Sequence, residues 1–144
     1  MAKPQNYANH AKRPPLLFLA GCYGGTAATL GIGYLLVSDF GAETLALFLV
    51  AACATLGLLF ARRFSTGVQD RVIRLEERLR MERLLPGDLR SRIEELTTDQ
   101  LIGLRFASDA ELEGLVRRAL GGELTDRQSI KQTIENWRAD HQRV

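Results

Sequence analysis

The chain has 144 residues, 46% of them hydrophobic and 25% charged, with a formal net charge of +2. Such averages describe an ordinary small soluble domain, and the near balance of signs excludes a protein that works by long-range attraction to a polyion. The two residue classes are segregated, however. No charged residue occurs from Pro14 to Val37, nor from Thr44 to Ala61.

Residues 1–13, "MAKPQNYANHAKR", are polar and too short to fold alone, and they read as a cytoplasmic N-terminal arm. The uncharged run that follows offers about 23 residues able to cross a bilayer, at about 15–37. The second run, 44–61, offers 18. A span needs roughly 17–25 apolar residues, so both qualify, and too little chain remains to bury two such helices in a soluble core. Lys3, Lys12 and Arg13 precede the first span, and Arg62, Arg63, Arg71 and Arg74 follow the second. The connector "SDFGAE" carries only Asp39 and Glu43. Basic residues stay on the cytoplasmic side, so both termini are expected inside and the connector outside. Lys12, Arg13, Arg62 and Arg63 are the expected headgroup anchors. A short link makes neighbouring helices antiparallel, which defines a transmembrane hairpin over residues 14–61.

"LAGC", residues 19–22, matches the pattern at which bacterial lipoproteins are cleaved and lipidated on cysteine. The apolar stretch before Cys22 is short for that purpose, and the apolar run continues well beyond it. Cys22 and Cys53 fall in different spans, each on the order of 11–12 Å from the cytoplasmic end. They serve as small packing residues or as neighbours across the hairpin.

The first span is rich in small residues. Gly21 and Gly25 form G-x-x-x-G, and Gly24, Ala28 and Gly31 continue the small-residue pattern, answered in the second span by Ala46, Ala51, Ala54, Gly57 and Ala61. Small residues four apart share a face and let backbones approach closely. Those faces pack either on each other or on another membrane protein. Beyond Ala61 no proline interrupts the chain before Pro86, so the second span is predicted to continue into a juxtamembrane helical rod over 62–87. Val68, Val72, Leu75 and Leu79 make a narrow apolar seam on it, and Asp70 with Arg74 and Glu76 with Arg80 place acids four residues before bases. The seam suits a second copy or, preferably, this chain's own C-terminal part.

Residues 88–144 read as a small all-helical cytoplasmic domain. Capping-box patterns at Thr97/Gln100, Ser108/Glu111 and Thr125/Gln128 predict helices at about 98–106, 109–120 and 126–143. An earlier helix is expected at 88–96, and Gly121–Gly122 supplies a stop before the last one. Ile130, Ile134 and Trp137 form a stripe opposed by Leu101, Leu104, Phe106, Leu112, Leu115, Val116 and Leu120. A core this small is helped by docking or oligomerisation.

Reaction chemistry is not legible. The spans hold no ionisable side chain of the kind a transporter or proton relay needs. His10 and His141 lie at opposite ends and read as solvated histidines. The adjacent pairs Glu76–Glu77 and Glu94–Glu95 point about 100° apart on a helix and read as solvated faces. Residues 62–144 carry 16 basic and 15 acidic side chains with signs interleaved, which lacks the basic stripe of a nucleic-acid binder. No catalytic residue, cofactor, metal site or small-molecule substrate is expected.

Both ends carry a resemblance. Gln5, Asn6, Tyr7, Asn9 and His10 spell "QNYxNH", and Asn136, Trp137, Arg138, Asp140, Arg143 and Val144 spell "NWRxDxxRV". Together with "RLEERLRMERLLP" and "LTTDQLIGLRFASDAELEGLVRRAL", these resemble an uncharacterised bacterial family of small two-span membrane proteins. Family members often carry proline after "NWR", where this chain has Ala139. The resemblance implies a bacterial inner membrane location and adds no mechanism. It draws attention to the termini, where Tyr7, Asn9 and His10 are expected to fold back onto Trp137, Arg138 and Asp140.

The resulting expectation is an all-α protein: a transmembrane hairpin whose second span continues into a cytoplasmic helix, then a small helical domain. Its expected role is a non-catalytic scaffold or accessory subunit that meets membrane lipid and other membrane subunits, or itself. The alternative is a cytoplasmic-facing regulator that binds a soluble protein or anionic lipid.

Overall fold

The computed structural model describes residues 5–11 and 14–140. Lys12, Arg13, His141, Arg143 and Val144 lie outside the described residues. The elements in order are α1 (Leu16–Ser38), α2 (Ala42–Leu84), α3 (Gly87–Arg90), a 3-10 turn (Ile93–Glu95), α4 (Thr98–Leu104), α5 (Asp109–Leu120) and α6 (Arg127–Thr133). Among the described residues there is no strand, and one isolated bridge pairs Ala107 with Trp137. The chain is therefore all-helical, with two long apolar helices near its N-terminus. It divides into two compact units, Arg13–Gly67 and Met1–Lys12 with Val68–Val144.

In the first unit, α1 is a helix of 23 residues without a single buried one. Its hydroxyls are spent internally: Thr26 donates to the Cys22 carbonyl, Thr29 to Gly25 and Ser38 to Tyr34, at 2.8, 2.8 and 2.9 Å. Back-bonding of this kind leaves those hydroxyl protons independent of water.

The half-buried positions on α1 include Phe18, Cys22, Gly25, Thr29, Ile32 and Leu36, and on α2 Thr44, Phe48, Ala51, Thr55, Leu58 and Arg62. Both sets alternate spacings of four and three, the 3.5-residue period that keeps one seam turned to a neighbour. Contacts across the seam run in opposite order along the two helices. A Cβ on Gly21 would meet Leu58 at 3.0 Å, one on Gly25 would meet Thr55 Oγ1 at 2.8 Å, and one on Gly33 would meet Phe48 at 3.1 Å. Thr29 and Thr55 share a hydroxyl hydrogen bond of 3.2 Å.

The small residues thus separate into two faces. Gly21 and Gly25 meet α2, joined by Gly33, whereas a Cβ on Gly24, Gly31 or Gly57 would meet nothing within 4 Å. Ala28 is exposed beside Gly24 and Gly31. Cys22 is half-buried and Cys53 exposed, and both are free thiols.

The helix α2 runs unbroken for 43 residues, as the continuous pattern predicts. Its last backbone bond is from Leu85 N–H to Met81, and Pro86 then forces extended backbone. The predicted use of its apolar seam needs correction. Val68, Val72, Leu75 and Leu79 are 60%, 48%, 61% and 49% exposed. The buried face is Ile73, Glu77, Arg80 and Met81, so α2 meets its own domain through charged as well as apolar groups.

The core of the second unit joins Met81, Leu85, Leu89, Ile93 and Leu96 to Leu101, Leu104, Phe106, Leu112, Leu115, Val116, Ile130 and Ile134, with Leu120 and Trp137 packed against it. The Thr97/Gln100 capping box forms as predicted. Gln100 is itself buried, and its amide donates to the carbonyls of Ala119 and Leu124 at 3.3 and 2.9 Å. Gly122, at φ +82°, makes the left-handed turn that ends α5. There the N–H of Gly122 reaches Ala119 and that of Glu123 reaches Arg118, closing the orphan carbonyls.

Four local expectations fail. The helix expected at 88–96 is α3 and a 3-10 turn, broken at Arg92 (φ −108°, ψ 4°), and this lets Leu89, Ile93 and Leu96 all reach the core. Asp126 rather than Thr125 caps α6, paired reciprocally with Ser129. The last helix stops at Thr133 instead of 143, because Ile134 is extended (ψ 123°) and enters the core. The Glu111 carboxylate then accepts the N–H groups of Glu135 and Asn136 at 3.1 and 2.6 Å. That use diverts Glu111 from capping α5, where Ser108 makes no side-chain cap bond.

The close approach at Gly25 yields a test. Gly25→Val should destabilise the α1–α2 pair by about 1–3 kcal/mol through overpacking, while Gly24→Val should leave it unchanged, as read by thermal unfolding of α-helical ellipticity in detergent. Equal effects at the two positions would contradict the assignment of faces.

Candidate functional site

The most organised polar cluster lies where α2 meets the α4–α5 connection. Arg80 and Glu77 are 6% and 4% exposed. The Arg80 guanidinium donates to Glu77 at 3.0 Å, to the Ala107 carbonyl at 2.8 Å and to Asp109 at 2.5 and 2.9 Å. Arg138 donates to the other Glu77 oxygen at 3.2 Å. One buried arginine and one buried glutamate thus tie together α2, the start of α5 and the C-terminal segment. Hydrogen bonding from Arg80 holds the Asp109 carboxyl below the ordinary aspartate range. For Glu111, burial acts upward, but the bonds from Asn136 and the backbone outweigh it and the result is a lowered value.

The sequence reading placed Glu76–Glu77 on solvated faces. That holds for Glu76, which is exposed, and fails for Glu77. The missed signal was positional: Ile73, Glu77, Arg80 and Met81 lie on one helical face, and two apolar residues frame an acid and a base three apart.

Beside this cluster runs a groove of about 770 Å3, lined by Gln69, Val72, Glu76, Leu79, Arg83, Arg105, Arg138 and Asp140 among others. Three of its cations face acids of the same chain. Arg80 holds Glu77 and Asp109, Arg138 holds Glu77, and Arg105 stands 3.4 Å from Asp140. Arg83 donates to the Leu79 carbonyl on its own helix. Mutual pairing of this kind fixes structure more than it advertises a site for a small anion. Among the described residues, no three His, Cys, Asp or Glu side chains gather as a metal site.

The second cluster joins the N-terminal arm to the C-terminal segment. Gln5 makes two bonds to the backbone of Asp140, donating at 3.1 Å and accepting at 2.9 Å. The His10 ring lies 5.5 Å from Trp137 and 5.7 Å from Phe106, whose own rings are 5.1 Å apart. His10 Nδ1 is 2.7 Å from the Tyr7 carbonyl, which can only accept, so Nδ1 carries the proton and Nε2 faces Lys131 Nζ at 3.3 Å. Arg105 and Lys131 both lie over the Phe106 ring, at 4.5 and 5.0 Å.

Of the six terminal residues singled out by sequence, His10 meets Trp137 directly. Asp140 meets the arm through Gln5. Tyr7 turns instead to α6, where its hydroxyl accepts from Gln128 and Gln132 at 3.3 and 3.2 Å. The Asn9 side chain accepts from the Asn6 N–H within the arm, and Arg138 turns to Glu77. Arg62 stands over the Phe18 ring at 5.5 Å, and Arg63 is exposed.

Removing Arg80 leaves the Ala107 carbonyl and one Glu77 oxygen buried without their donor. Arg80→Met should therefore cost about 3–5 kcal/mol, followed as the unfolding transition of Trp137 fluorescence, that residue being the only tryptophan. A change below about 1 kcal/mol would show the cluster to be ornamental.

No curated protein and no solved structure matches this chain. The model of one family, DUF6526, described as a family of unknown function, matches residues 1–144. The chain belongs to that family.

Proposed function

We propose that this protein is a membrane-anchored helical scaffold or accessory subunit of a larger membrane protein complex, without a catalytic step of its own. Its hairpin, α1 and the first part of α2, lies in the bacterial cytoplasmic membrane with both termini inside. The observation that carries this reading is the helix α1: long, uncharged and without one buried residue. Side chains of that kind need a nonaqueous surrounding.

Two further features support it. Gly24, Ala28 and Gly31 leave a smooth face on α1 that α2 does not fill, of the kind that admits a neighbouring helix. In the other unit, the buried charged groups Glu77 and Arg80 are engaged in holding the domain together, which favours presentation of a fixed surface over turnover of a substrate.

In intact cells, with Cys22 and Cys53 replaced by alanine, a membrane-impermeant maleimide should label Ser38→Cys beside the connector and spare Ala139→Cys. The full chain should resist alkaline extraction from membranes and copurify in mild detergent with stoichiometric membrane subunits or further copies of itself. Labelling of Ala139→Cys in unbroken cells would contradict the orientation. Recovery of the protein as a freely soluble monomer would end the proposal.

A further inference from the structure

We propose that the exposed seam Val68–Val72–Leu75–Leu79 pairs α2 with the α2 of a second copy, in parallel and in register. The four side chains recur at spacings of four, three and four and are each about half exposed or more. They occupy adjoining a and d positions of a heptad. On a helical wheel their centre lies about 150° from that of Ile73, Glu77, Arg80 and Met81, the face already buried in the chain's own domain. One side of this segment of α2 is therefore filled and the other exposed, with Val72, Glu76 and Leu79 also bordering the groove between them.

The flanking charges select the occupant. With Val72 and Leu79 at a and Val68 and Leu75 at d, Arg71 falls at g and Glu76 at e. In a parallel pair, a g residue meets the e residue five positions on in its partner, so Arg71 of each copy meets Glu76 of the other, twice per dimer. Neither forms an ion pair among the described residues of its own chain. An antiparallel pair would instead bring Arg71 against Arg78. The next heptad sets Arg78 toward Arg83, a like pair relieved by Glu94, which Arg78 already holds at 3.4 Å. Glu82 occupies the next d position and ends the seam. A seam of two heptads is short for a free coiled coil. Confinement to one membrane removes much of the translational and orientational cost of association. The parallel orientation rests on the membrane reading proposed above, since copies inserted the same way carry α2 in the same direction.

The test uses the full chain in native membranes, with Cys22→Ala and Cys53→Ala and one new cysteine at a time. Oxidation should cross-link Val72→Cys and Leu75→Cys on the order of tenfold more than Asp70→Cys and Arg74→Cys, because only seam residues bring their Cα atoms within disulfide reach. Adding Arg71→Glu should lower the cross-linking of Val72→Cys, and Glu76→Arg in the same chain should restore it. Equal or absent cross-linking in protein that withstands alkaline extraction overturns the pairing and leaves the anchor standing, as would capture of the seam by a different protein. Seam-specific cross-links in protein that washes off the membrane support the pairing and remove the anchor.

Discussion

Everything in this account depends on a problem of solvation. The helix α1 satisfies its own backbone, and three of its hydroxyls bond back to its own carbonyls, yet no side chain on it is buried. Leu16, Leu17, Tyr23, Leu30, Tyr34 and Val37 are among its exposed large apolar residues. Burying each such side chain is worth about 1.5–3 kcal/mol. A helix that forgoes most of that gain suits surroundings that are already apolar, which is what the proposed membrane location would supply. The proposed membrane location rests on this mismatch between the apolar surface of α1 and the part of it that α2 covers.

Within each unit the packing logic differs in kind. Between α1 and α2 the contact is made by subtraction: glycines at 21, 25 and 33 let Leu58, Thr55 and Phe48 come close. In lipid, where apolar side chains gain nothing by leaving their solvent, close approach and a shared hydroxyl bond are the terms that remain. In the helical domain the contact is made by filling, with Phe106, Met81, Leu101, Leu104, Leu112 and Ile130 fully buried. The Glu77–Arg80 pair is the exception there. Such a pair adds little net stability compared with an apolar substitute, but breaking it is costly, and it fixes which face of α2 turns inward.

The strong signals were legible in the sequence. The two uncharged runs gave both long helices, and the absence of breakers between Arg62 and Pro86 gave the continuous α2. The boundaries of α5 and the Thr97/Gln100 cap were also readable, because each is decided by adjacent residues. Two of the failures share another cause: groups distant in sequence competed for the same bonds. Glu111 looks like a capping residue until Asn136 arrives, and the last helix looks long until residues 134–138 pair with the α4–α5 connection. The seam on α2 was expected to pack on this chain's own C-terminal part, and it is exposed instead. Apolar spacing alone favoured Val68–Leu79, whereas the domain took the face bearing Glu77 and Arg80. On α1 no periodicity could show which face meets α2, since every face is apolar. Only the positions of small residues hinted at it. Of the terminal residues, His10 reads as solvated in the sequence but packs against Trp137 and Phe106, and the bonds of Gln5 to distant backbone leave no spacing pattern.

The most direct test of the solvation argument uses a native residue. Cys53 is exposed on the first part of α2 and free, so a nitroxide attached to it in the Cys22→Ala protein samples whatever surrounds that helix. In lipid vesicles the account predicts that the label collides freely with dissolved oxygen and is shielded from a water-soluble nickel complex. Ready collision with nickel and little with oxygen would place this helix in water and contradict the account at its foundation.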